Sequence, residues 1–130
     1  MKYLMTIAVT ILLLMLVRVA SANPTEINDK FMLSNSFDKH AITVVDAYTD
    51  WCGACQAFHP TFVKVSNELG DKVFFAQINI DHNVSFRLTF NVEFIPTILV
   101  FKNGHFVKRI DERGYQEFKK AVQDVIDGRK

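Results

Sequence analysis

Between residues 41 and 48 the chain reads AITVVDAY, a β-branched apolar run broken only by Asp46. A short run of this composition predicts a strand buried on both faces. The period then changes. Cys55, Phe58, Phe62, Val65 and Leu69 recur at intervals of three and four, the stripe of an amphipathic helix, and Gly70 marks its stop. KVFFAQINI (72–80) predicts a second core strand, and VSFRLTFNV (84–92) a short helix. TILVFKNGHFVKRI (97–110) predicts two strands joined at Asn103-Gly104, a dipeptide suited to a tight hairpin. Tyr115, Phe118, Val122 and Val125 space out a final helix, and FMLSNSFDKH (31–40) a short first one. The predicted order is β-α-β-α-β-β-α with a helix in front. Strands this apolar need helices on both faces, so the pattern predicts an α/β fold around a central mixed sheet.

The first 22 residues follow a different rule. Lys2 precedes fifteen uncharged, mostly apolar residues (3–17), followed by Arg18 and an Ala20-Ser21-Ala22 ending. A basic start, an apolar stretch and small residues predict a secretory signal peptide, residues 1–22, cleaved before Asn23. The competing reading is an uncleaved membrane anchor. Fifteen helical residues reach only about 23 Å, short of the roughly 30 Å hydrocarbon core, which favours cleavage.

The remaining 108 of the 130 residues suffice for one domain, residues 23–130. Without Lys2 and Arg18, 13 basic side chains face 14 acidic ones, a formal charge of −1. There is no basic stripe for nucleic acid and no charged tail for an electrostatic partner. Export places the chain where disulfides persist, yet it carries only Cys52 and Cys55, far from a disulfide scaffold. A bridge across so short a loop removes little unfolded-chain entropy, so bulk stability is not its purpose. Cys-x-x-Cys between a strand and a helix is the redox arrangement.

These segments resemble the thioredoxin family over nearly the whole of residues 23–130. VVDAYTDWCGAC (44–55) is similar to its active-site stretch, with an acid six places before the first cysteine. Pro60 falls where the family has a helix-kinking proline, FIPT (94–97) matches its cis-proline loop, and FKNG (101–104) its hairpin. DAYTDWCGAC also resembles the C-terminal domain of the membrane reductase that feeds electrons to the bacterial periplasm. The sequence departs from the family at Ala54, where a proline is usual, at Tyr48 for tryptophan, and at Gln77 for lysine. Phe94 and Glu112 stand where small residues usually line the substrate groove.

The resemblance implies a thioredoxin fold in which Cys52 and Cys55 form a redox-active disulfide. Cys52, at a helix start, would be the accessible nucleophile, its thiolate favoured by free N–H groups and the helix dipole. Cys55, buried one turn in, would resolve the mixed disulfide. Asp46 would exchange protons with Cys55, and burial would raise its pKa; the alternative has Asp46 facing outward at the strand end. Trp51, Gly53, Ala54, Ile95 and Pro96 would bind substrate, with Ile95–Pro96 cis and the loop pairing with an extended peptide. His59, four after Cys55, shares its helix face and is a candidate to tune it, against a simply packed histidine. His40, His82 and His105 show no ligand spacing and are expected to face solvent. Phe74, Phe75, Phe101 and Phe106 are expected in the core.

The leading reading is therefore an exported thiol-disulfide oxidoreductase acting on protein disulfides as a monomer, with no metal or other cofactor. A metal site wants a second close ligand pair, and the sequence has none. A non-catalytic binding module needs neither the cysteine pair nor the acid. Ile95 and Gly53 resemble reducing members, and Ala54 puts no charge beside the thiolate, so the reducing direction is favoured over an oxidase or isomerase. A reductase in an oxidising compartment implies a membrane electron donor, with cytochrome c maturation factors or misoxidised proteins as possible substrates. The Ala-Ser-Ala ending, and a C-terminus without a retention signal, favour a bacterial periplasm or secretion over the endoplasmic reticulum, with membrane anchoring as the alternative.

Overall fold

A computed structural model describes residues 1–16 and 23–130. In chain order its elements are α1 (Lys2–Leu16), β1 (Thr25–Glu26), α2 (Lys30–Lys39), β2 (Ile42–Tyr48), α3 (Gly53–Leu69) and β3 (Phe74–Asn79). Then come α4 (Val84–Thr89), β4 (Thr97–Lys102), β5 (His105–Ile110) and α5 (Tyr115–Ile126). The five strands form one mixed sheet in the order β1-β3-β2-β4-β5. β2 lies at its centre, parallel to β3 and antiparallel to β4.

The central place of β2 follows from its composition. Val44 and Val45 are both fully enclosed although they point to opposite faces of the sheet. On one face Val44 joins Phe62, Val65, Val100, Phe118 and Val122 under α3 and α5. On the other, Val45 joins Ile27, Ile78, Leu99 and Phe101 under α2 and α4. Asp46 belongs by alternation to the α3 side. Phe58, Phe62 and Phe118 lock α3 to α5, the Phe58 and Phe118 rings meeting edge-on at 5.2 Å.

Local rules set the element ends. The Asp29 carboxylate accepts from the amides of Phe31 and Met32 and caps α2, a contact worth about 1 kcal/mol. Asn103 and Gly104 both have positive φ, at 50° and 77°, which the two-residue hairpin turn requires.

The fold corrects three details. β1 has no counterpart in the hydrophobic pattern, because two residues pairing Thr25 with Ala76 and Glu26 with Gln77 make an edge strand without an apolar run. The short helix stops at Thr89, before the expected residue 92. Phe106 is exposed instead of core, because β5 is the edge strand; its ring still meets Phe101 edge-on at 6.0 Å. The predicted cleavage segment, residues 20–22, lies outside the described residues. No helix among the described residues is long and apolar enough to cross a membrane.

Candidate active site

Strand register gathers the chemistry at one end of the sheet. Asp46 pairs with Gln77 on β3 and with Ile98 on β4, and Ala47 with Thr97, next in chain to Pro96. The chain leaves β2 at that end and turns into α3, whose N-cap is Cys52.

Cys52 and Cys55 form a disulfide with their Cα atoms 5.2 Å apart. The backbone amide of Cys55 donates to Cys52 Sγ at 3.1 Å. A sulfur in the first turn of α3 thus meets an N–H left without a helical partner, which stabilises a thiolate once the pair is reduced. Cys52 Sγ also lies 3.8 Å from the carbonyl oxygen of Ile95, and the Ile95–Pro96 peptide is cis. That contact closes Cys52 from the side: the two cysteines are 6% and 4% exposed, so Cys52 is nearly as buried as Cys55. Cys52 is thus less open than the accessible first sulfur that the resemblance implied.

The neighbours of Cys52 are open. Trp51 is 73% exposed and Phe94, two residues before the cis proline, is 80% exposed. The Trp51 indole N–H donates to the Asp81 carboxylate at 2.8 Å, which holds the ring in one orientation. Gly53 and Ala54 are exposed in the first turn, and a Cβ at Gly53 would meet nothing within 4 Å. Glu112 is exposed as well.

Asp46 points inward at 1% exposure, which removes the outward alternative. Its Oδ1 has no hydrogen-bond partner. Burial pushes its pKa from 3.8 up to about 7; Arg113 and the Gln77 amide pull it down, and Glu26 pushes it further up. The carboxyl lines an open cleft of about 310 Å³ together with Cys55, His59 and Gln77. His59 Nδ1 lies 3.0 Å from Gln77 Nε2, so the histidine is engaged with β3 while sharing the cleft with Cys55. His40, His82 and His105 are exposed, and His40 stacks on Phe74 at 4.5 Å. Tyr48 donates to Glu26 at 2.9 Å, and burial raises the pKa of both groups.

Sequence reasoning missed Glu26, Asp81 and Arg113. None sits in a local pattern, and each reaches the site across a gap in sequence. Among the described residues no group of three or more His, Cys, Asp or Glu side chains is arranged to hold a metal ion.

A disulfide seated at a helix start, beside a buried carboxyl and facing a cis-proline loop, defines a class of thiol-disulfide oxidoreductase. Comparison with known proteins identifies the family. The family model Thioredoxin matches residues 25–126. The chain is 38% identical to a thioredoxin of Rickettsia typhi over 84 residues, covering 65% of this chain and 77% of that protein. With a thioredoxin of Mycoplasma genitalium the identity is 34% over 85 residues, covering 65% and 82%. The fold matches the crystal structure of Malassezia sympodialis thioredoxin with a TM-score of 0.73 at 23% identity, covering 80% of this chain and 94% of that one. The chain belongs to the thioredoxin family, and Cys52 and Cys55 are the pair with which it exchanges thiols and disulfides.

The position of Asp46 fixes a sign for pH. Folding raises its pKa from 3.8 to about 7, so the folded chain holds the proton more tightly than the unfolded one. The resulting stability is complete below about 3.8 and is lost as pH rises towards 7, an effect of roughly 4 kcal/mol at most. Asp46→Asn should remove that slope and be more stable than the parent at pH 8. Denaturant unfolding of both oxidised proteins at pH 4 and pH 8 checks this; equal slopes in the two would contradict it.

Proposed function

We propose that this chain is an exported, monomeric reductase of protein disulfides, supplied with electrons by a membrane donor. The Cys52 thiolate attacks one sulfur of a substrate disulfide. That S–S bond breaks, a Cys52–substrate bond forms, and the other substrate sulfur leaves as a thiolate and takes up a proton. Asp46 then accepts the Cys55 proton, and Cys55 Sγ attacks Cys52 Sγ. The second substrate thiolate leaves, two electrons have passed to the substrate, and the Cys52–Cys55 bond is closed.

The observation that carries this reading is the Asp46 carboxyl, 1% exposed with an unpartnered Oδ1 in the same cleft as Cys55. A carboxyl near pH 7 in its titration can both accept and return a proton at working pH. Trp51, Gly53, Ala54, Ile95 and Pro96 form the surface for an extended segment of substrate. The exposed Phe94 beside them restricts which segments fit.

The reducing direction is supported by Gly53 and Ala54, which place no charge between the sulfurs to favour the thiolate further. Export is supported by the basic, apolar and small-residue succession in residues 1–22.

Equilibration in thiol-disulfide buffers, followed by Trp51 fluorescence, tests the direction. A potential near about −270 mV is expected, and one above roughly −180 mV would make the chain a disulfide-forming or isomerising enzyme. Expression in a bacterium tests export: the expected product is a periplasmic protein beginning at Asn23, and retention of residues 1–22 on the membrane would show an anchor instead.

A further inference from the structure

Arg113 lies in the connection between β5 and α5, outside every motif of the sequence. Its guanidinium is nonetheless held on three sides. Nη1 donates to the carbonyl oxygens of Ile110 at 2.6 Å and Glu112 at 3.1 Å, and Nη2 donates to that of Pro96 at 2.9 Å. The plane sits 5.3 Å from the centre of the Phe58 ring, on the first turns of α3. With Ala54, Phe58 and Pro96 it lines a second open cleft of about 360 Å³.

The sheet register shows where this cation stands. Ile110 pairs with Ile98, and Ile98 pairs with Asp46. Pro96 precedes Thr97, the partner of Ala47. Arg113 therefore spans from the outer strand back towards β2, on the α3 side where Asp46 lies. A guanidinium is always charged and keeps its charge in a half-buried position, unlike an amine. Burial disfavours the charge, and Asp111, Asp46 and Glu112 support it.

The other groups around Asp46 do not offer a fixed positive charge. β1 contributes the Glu26 carboxyl, the β2 end Tyr48 and Asp50, β3 the Gln77 amide, and α3 Cys55 and His59, whose Nδ1 is engaged by Gln77. Arg113 is the leading influence against burial on the Asp46 proton.

We propose that Arg113 is a positioning residue, its guanidinium clamped to the Pro96 and Ile110 carbonyls so that one fixed cation governs when Asp46 gives up its proton. It thereby ties the proton-transfer group to the substrate-binding loop. This extends the proposed function, since it assumes that Asp46 moves a proton for Cys55.

The test uses the full chain with Arg113→Gln, Arg113→Lys and Asp46→Asn. Carbon NMR of the Asp46 carboxyl reports its titration directly, and the pH profile of single-turnover disulfide reduction reports its use. In Arg113→Gln the Asp46 midpoint should rise by roughly one pH unit, and the rate profile should rise with it. Arg113→Lys keeps the charge without the fork of donors, and should fall between parent and Arg113→Gln. An Asp46 midpoint within about 0.2 units of the parent in both Arg113 variants would overturn the proposal. So would a rate loss spread evenly over pH with the carboxyl midpoint unmoved, the mark of a purely structural contact. If the carboxyl midpoint moves while the rate profile stays unchanged in every variant, Arg113 governs Asp46 as proposed, and it is the catalytic reading of Asp46 that fails.

Discussion

A carboxyl enclosed in the central strand is the constraint around which this molecule is arranged. Asp46 occupies a position that every pattern rule assigns to an aliphatic residue, between Val45 and Ala47 in a strand covered on both faces. An unpaired charge there is costly, and the protein answers by letting the group keep its proton to about pH 7. The same burial that weakens the strand above that pH brings the titration of the carboxyl close to neutrality, as the proposed proton exchange with Cys55 requires. Stability and chemistry oppose one another at this residue.

The redox pair depends on that arrangement in turn. α3 leaves the end of β2 with Cys52 as its N-cap, so that Cys55 in its first turn lines one cleft with Asp46. The aromatic contacts among Phe58, Phe62 and Phe118 hold α3 against α5 and the sheet, which keeps Cys55 and the carboxyl on one cleft. From the other side, the cis loop at Ile95–Pro96 places a carbonyl 3.8 Å from Cys52 Sγ. Around the buried disulfide, Trp51, Gly53, Ala54 and Phe94 are exposed. The match to the thioredoxin family model, residues 25–126, spans all of these segments.

Much of this was legible because it is local. The apolar run at 41–48, the helical stripe from Cys55 to Leu69 and the Asn103-Gly104 turn each obey one periodicity or one backbone preference. Cys52, Cys55, Asp46 and Pro96 came from spacing within single segments, read through the family resemblance. What stayed hidden was tertiary. β1 exists only because Thr25 and Glu26 meet Ala76 and Gln77 some fifty residues away. Phe106 follows the core pattern of its hairpin, and only the order of strands reveals that it stands at an edge. Arg113 lies in a polar stretch that reads as a solvated loop, and its meaning appears once Pro96, Ile110 and Phe58 are seen around it. The burial of Cys52 was hidden for the same reason, since the group that covers it belongs to a loop 43 residues later.

In the proposed reaction Cys52 attacks and Cys55 resolves. The most direct measurement of these roles is the capture of partners by single-cysteine variants of the full chain expressed in a bacterium. Non-reducing gels should show Cys55→Ser linked to other proteins through Cys52, in bonds that dithiothreitol releases, while Cys52→Ser captures almost none. Equal capture by both variants, or capture by Cys52→Ser alone, would contradict the assignment.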